Sequence, residues 1–113
     1  MKINKPKISI CTNKSLIDVS TEEEFINYKF TENIDKPITI NNITIDTCIF
    51  QSIDFSNIEL IDVDLIDVIF ENCDLSNKIF DNKLINRVIF KNCKMLGTSF
   101  INSSLKDVVI DNS

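Results

Sequence analysis

The sequence predicts an all-β solenoid, and three observations predict it. Residues 68–73 read Val-Ile-Phe-Glu-Asn-Cys, and twenty residues later 88–93 read Val-Ile-Phe-Lys-Asn-Cys. Beneath that echo runs a period of five, since Ile40, Ile45, Phe50, Phe55, Leu60, Leu65, Phe70, Leu75, Phe80, Ile85, Phe90, Met95, Phe100, Leu105 and Ile110 are all large and apolar. Two residues before each stands a smaller or β-branched residue, from Ile38, Ile43 and Cys48 through to Val108, with Lys78 and Lys83 as the exceptions. A fixed short period of this kind marks stacked repeats, each covering its neighbour's apolar side.

A helix needs apolar residues at i, i+3, i+4 and i+7, and an ordinary strand needs strict alternation. A repeat of five with inward residues at i−2 and i fits neither. It fits a chain that runs extended for three residues and turns over the next two. The second residue after each beat is Asn or Asp nearly throughout, at Asn42, Asn57, Asp62, Asp67, Asn72, Asn77, Asn82, Asn92, Asn102, Asp107 and Asn112. Both residue types bond their own backbone and tolerate turn dihedrals. Four such segments make a square coil of twenty residues, which accounts for the echo, and successive coils stack about 4.8 Å apart.

On these residues, 38–113 resemble the pentapeptide repeat family, whose motif has a small residue, Asp or Asn, a central Leu or Phe, then two polar residues. Cys73-Asp74-Leu75-Ser76-Asn77 matches it closely. The resemblance implies a right-handed quadrilateral parallel β-helix of just under four coils. Such a rod is about 18–20 Å long at the strand spacing. The departures are Ile or Val where the family prefers Ala, and the two lysines. A buried ammonium without a partner is too costly to keep, so the third coil is expected to bulge there and let both stems reach water.

Residues 1–37 are read as an N-terminal cap segment and 38–113 as the coils. Ser20-Thr21-Glu22-Glu23 has the form of a capping box, with Ser20 as N-cap and helical turns expected through Tyr28. Phe25, Ile26 and Phe30 give that small helix an apolar face, and the segment is expected to cover the first coil. Pro37 marks the onset of the coils. At the other end the chain stops at Ser113 without a capping element. The expectations are a homodimer paired through the final coil, or a fragment of a longer chain.

Histidine is absent, there is one glycine (Gly97), and no phosphate-binding loop or catalytic grouping is present. An enzyme is not expected, and no cofactor or metal is implied. Asp62, Asp64 and Asp67 lack the Gly and terminal Glu of a helical calcium loop. Cys11, Cys48, Cys73 and Cys93 have neither zinc nor redox spacing. Cys73 and Cys93, one coil apart at the inward small position, read as a stacked pair of free thiols, which fits a reducing compartment. With no long apolar run or cleavable leader, a cytoplasmic protein is expected. The lack of alanine beside abundant Ile, Asn and Lys suggests an AT-rich bacterial genome.

Function must therefore lie on the outer walls. Ile49, Ile69, Ile89 and Val109, twenty residues apart, should line up as an outward apolar stripe, either a partner or dimer surface or a stacking ladder partly covered by the N-terminal segment. Asp46, Asp54, Glu59, Asp62, Asp64, Asp67, Glu71 and Asp74 make residues 46–74 acidic without one Lys or Arg. Lys78, Lys83, Arg87, Lys91, Lys94 and Lys106 then reverse the sign. The expected function is a non-enzymatic protein-binding or scaffold module with an unknown protein partner, and neither nucleic acid nor membrane as a direct one. The alternative comes from the resemblance: some members of that family imitate duplex DNA and bind DNA gyrase. The acidic stretch spans under two coils, whereas DNA carries a charge about every 1.7 Å.

Overall fold

The computed structural model describes residues 3–8, 11–16 and 25–113. Its corners explain how a beat of five closes a coil. The second residue after each beat has positive φ from Asn42 (55°) to Asn112 (54°), Asn57 alone excepted. A left-handed residue at every fifth position turns the chain between extended segments. Most of these corners are Asn or Asp, but Thr47 (φ 54°), Ser52 (58°) and Arg87 (54°) hold the same conformation without that chemistry. At Asn57 a short 3-10 turn, Phe55–Asn57, does the work, capped by Asp54, whose Oδ1 accepts from Ser56 N at 2.9 Å.

The strands are β1 (Thr12–Asn13), β2 (Phe25–Ile26), β3 (Tyr28–Phe30), β4 (Ile38–Gln51), β5 (Ile58–Glu71), β6 (Leu84–Lys91) and β7 (Ser104–Asp111). All pair in parallel, in the order β1-β3-β4-β5-β6-β7, with β2 also on β4. Register is twenty residues from β2 onward, where Phe30 faces Phe50, Phe50 faces Phe70, Phe70 faces Phe90 and Phe90 faces Ile110, whereas Thr12 of β1 faces Tyr28, sixteen residues on. The architecture is an all-β parallel solenoid of about five turns, a quadrilateral β-helix. We number its walls by their first full-coil residue: first (Ile40), second (Ile45), third (Phe50) and fourth (Phe55).

The core is a pile of identical side chains. Phe30, Phe50, Phe70 and Phe90 are fully buried and stack with ring centroids 4.9, 5.1 and 5.1 Å apart and tilts of 19°, 10° and 3°. The stacking distance is close to the strand spacing, so backbone register and ring packing reinforce each other. Phe80 stacks on Phe100 at 5.4 Å.

The N-terminal segment departs from expectation. Phe25–Ile26 and Tyr28–Phe30 are strands, not the helical turns expected through Tyr28, and the capping box lies outside the described residues. Phe25 and Phe30 sit on the same count of five that begins at Ile40, and they face Ile45 and Phe50. The helical reading failed because two apolar residues five apart are too few to show a period. Leu16, Phe25 and Phe30 are buried in the common core. Asn33 completes this end on the fourth wall: its Nδ2 donates to Ser52 O at 3.0 Å and its Oδ1 accepts from Asp54 N at 2.7 Å. One side-chain amide thus stands in for the peptide group of a missing rung.

Lys78 and Lys83 do reach outward, but the expected bulge is not how the coil adjusts. Phe80 and Ile85 stay buried and the twenty-residue register resumes at Leu65–Ile85. The first wall instead gives up its ladder between the second and third coils, while the third stays bonded to the fourth, with Ile79 bridged to Ser99, Phe80 N donating to Ser99 O at 2.8 Å and Asn82 N to Ile101 O at 2.9 Å. Its neighbouring corners close with i to i+3 hydrogen bonds, Lys78 N to Leu75 O (3.1 Å) and Ser103 N to Phe100 O (3.2 Å). With positive φ only at Asn77 and Asn102 within these turns, they are of type II. Both ammonium groups find oxygen: Lys78 Nζ donates to Ile58 O at 2.6 Å, and Lys83 Nζ pairs with Asp62 Oδ1 at 2.7 Å.

Candidate binding surfaces

The outward stripe is a true ladder. Ile49, Ile69, Ile89 and Val109 are direct partners in successive strands, and all four are half-buried. Beside them on the third wall run Gln51, Glu71, Lys91 and Asp111, also in register. The wall therefore offers one apolar row, about 14 Å long over three coil steps, and one row of alternating charge.

The eight acidic residues do not form a surface of one kind. Glu59 and Asp62 belong to the first wall and its corner, Asp46, Asp64 and Asp67 to the second, Glu71 to the third, and Asp54 and Asp74 to the fourth. Most are engaged locally or with the next coil. Asp62 pairs with Lys83, Asp64 Oδ1 accepts from Leu84 N at 2.9 Å, and Asp67 grips Arg87 through Nε (2.5 Å) and Nη2 (3.0 Å). Asp54 and Asp74 accept from Ser56 N and Ser76 N two residues on. The change of sign along the sequence is largely a ladder of acid over base, one coil apart. Asp67 is the only buried charged side chain among the described residues. The Arg87 hydrogen bonds, helped by the Lys7 amide, hold its carboxyl below the ordinary aspartate value, against the opposing effect of burial.

The thiols sit as the sequence suggested: Cys48, Cys73 and Cys93 are buried and free. Each Sγ donates to a carbonyl twenty-three residues back, Cys48 to Phe25 O (3.4 Å), Cys73 to Phe50 O (3.3 Å) and Cys93 to Phe70 O (3.4 Å). Thr98 and Ser103 repeat the bond to Leu75 O and Phe80 O. The small inward position thus satisfies a carbonyl of the coil above, a role no sequence period reveals. Burial pushes the Cys48 thiol up to about 12, and the neighbouring Cys93 thiol, with burial, raises Cys73 too. Among the described residues no cluster of His, Cys, Asp or Glu is placed to hold a metal, and no helix is long and apolar enough to cross a membrane.

Lys78 lies in a cleft of about 440 Å³ with Thr39, Ser56 and Glu59 on its walls. Loss of hydration lowers its pKa, partly offset by Glu59 and Asp54. At the far end the core comes to the surface. Leu105 and Ile110 are 50% and 54% exposed, whereas Ile85 and Phe90, one coil earlier, are both 0% exposed. Leu96 and Ile101 stand out beside them, and β7 leaves one edge of its backbone unpaired.

Two family models match the stacked part of the chain, one described as a pentapeptide repeat region over residues 63–113 and one as pentapeptide repeats in eight copies over residues 48–77. The chain belongs to the pentapeptide repeat family. No curated protein matches it. As a pentapeptide repeat protein it keeps the family's square coil while filling the small position with Ile, Val, Cys and Lys. What sequence reasoning missed is the corner column Thr47, Asp67, Arg87 and Asp107, where residues 4, 7 and 11 return to bond the coils. The signal in the sequence was Thr47 and Arg87, both in this column, breaking the run of Asn and Asp at corners.

Proposed function

We propose that this pentapeptide repeat protein is a non-enzymatic protein-binding or scaffold module that engages a partner through its third wall. The row Ile49, Ile69, Ile89 and Val109 carries the reading: apolar, in register, and half-exposed on every coil it crosses. Four β-branched residues in line stack well along the ladder, and their outward faces together offer a partner a continuous apolar row. The flanking Glu71, Lys91 and Asp111 supply charges to set register with a partner. Ile69→Asp with Ile89→Asp changes only outward positions, so the coil should still fold. Partner capture by the native chain that is lost with the double variant, at equal melting temperature, supports this reading, and equal capture by both ends it.

The uncovered final coil suits a second copy of the chain, an edge strand meeting its own equivalent. Imitation of duplex DNA draws little support, since the carboxylates are spread over four walls and no corner or wall row continues them down the rod. A gyrase supercoiling assay with the purified chain is expected to show no inhibition.

A further inference from the structure

Residues 3–8 run parallel to the solenoid axis along one outer corner, whereas the strands from Phe25 onward wind around it. Asn4 reaches the last coil, its backbone N–H 3.1 Å from Asp107 Oδ1 and its Nδ2 3.3 Å from Oδ2. Three residues on, the Lys7 N–H donates to Asp67 Oδ1 at 3.0 Å, two coils nearer the start. Cys11 Sγ then donates to Thr47 O at 3.4 Å, one coil further. These partners belong to one column of corner residues between the second and third walls. Two coil steps measure about 9.6 Å and three extended residues about 10 Å. An extended chain laid along this corner therefore brings two N–H groups three residues apart to Asp107 and Asp67.

The corner is prepared for such a chain. Arg87 forks onto Asp67 and fixes its carboxylate while leaving Oδ1 able to accept from the strap as well. Ile69 and Ile89 flank the column on the third wall. Asn86, next to Arg87 on the second wall, buries an Oδ1 that has no hydrogen-bond partner, an acceptor that a further donor would satisfy.

We propose that this axial corner is a docking groove for an extended peptide of a partner protein, and that residues 3–8 are its resident stand-in. The peptide it fits is extended, offers N–H donors three residues apart to Asp107 and Asp67, and lays apolar side chains on Ile69 and Ile89. The proposal rests on the third-wall reading for that apolar flank alone. A partner binds by displacing the chain's own segment, whose tether gives it an effective concentration on the order of mM.

Asn4→Pro with Lys7→Pro removes both donor N–H groups from the full-length chain and touches neither carboxylate. A synthetic peptide of residues 3–8 is then titrated into each isotope-labelled protein and followed by NMR. In the double-proline chain the peptide should shift the amides of Asp67, Arg87 and Asp107 saturably, at least tenfold more tightly than in the native chain. Asp107→Asn, a change at the open end, should weaken that binding severalfold without unfolding the coil. A double-proline chain whose Asp67, Arg87 and Asp107 amides keep their native shifts overturns the proposal. So does the absence of saturable shifts, or equal shifts from a peptide carrying proline at both donor positions. If Ile69→Asp with Ile89→Asp leaves peptide affinity intact while Asp107→Asn reduces it, the groove stands and the third-wall reading fails.

Discussion

Thr47 holds φ 54° in a conformation that eleven Asn or Asp residues share, and a β-branched residue is strained there. Its hydroxyl donates to Asp46 Oδ1 at 2.8 Å, which offsets only part of the cost. Thr47→Asn should therefore stabilise the fold by about 0.5–1 kcal/mol, read as a higher urea midpoint at unchanged slope. Asp67 makes the opposite case, a polar residue that stabilises because its partners are in place. Its folded pKa lies below the unfolded value, so its contribution is complete above roughly pH 4 and is lost as pH falls through the lower, folded value. Melting temperature should fall on the acid side of that window, and Asp67→Asn should be less stable at pH 7 yet show a flatter acid limb. An equally steep limb in the variant would assign the slope to other carboxylates. Asp67 was legible in the sequence as one acid among eight; its fork with Arg87 was not, because twenty residues separate them.

At the level of elements, the solenoid depends on like stacking on like. Phe70 lies between Phe50 and Phe90 and touches Phe55 edge-on, with ring centroids 5.8 Å apart. Phe70→Ala removes a ring from the middle of the stack, and the rungs around it are too tightly bonded to collapse inward. The cost should be about 3–5 kcal/mol, measured by chemical denaturation. The first wall behaves differently. From sequence alone, Lys78 is an inward lysine that forces the coil to bulge, and Lys78→Ala is expected to relieve that strain. The structure shows the ammonium bonded to Ile58 O and the stem lining a cleft, so truncation leaves a carbonyl short of its donor. A loss of about 1 kcal/mol is now expected, and a gain in melting temperature would restore the strain argument. Corner positions and ladder rows could be counted off the sequence, because a period of five fixes which residues share a face. The loss of the first-wall ladder between the second and third coils could not, since it turns on where two long side chains find oxygen.

Across the whole molecule the two ends differ. The N-terminal end is closed by Leu16, Phe25 and the Asn33 amide, while the last coil leaves Leu105 and Ile110 half in water. If a second copy covers that coil, light scattering should report twice the 13.0 kDa chain mass, and Leu105→Lys with Ile110→Lys should return it to a monomer with the coils intact. A monomer in the native chain at high concentration would remove the homodimer.

The period of five, read without coordinates, determined the solenoid, the inward rows from Ile40 to Ile110 and the outward stripe, because repeat phase alone dictates which side chains face the axis. Only the tertiary structure decided the rest: that Phe25 and Phe30 already belong to the coil, that acid sits over base, and that residues 3–8 run back along a corner to bind Asp67 and Asp107. Those outcomes depend on pairings between residues twenty to a hundred positions apart. Such pairings are set by the stacking distance of the coils and by side-chain reach, and a linear pattern carries neither.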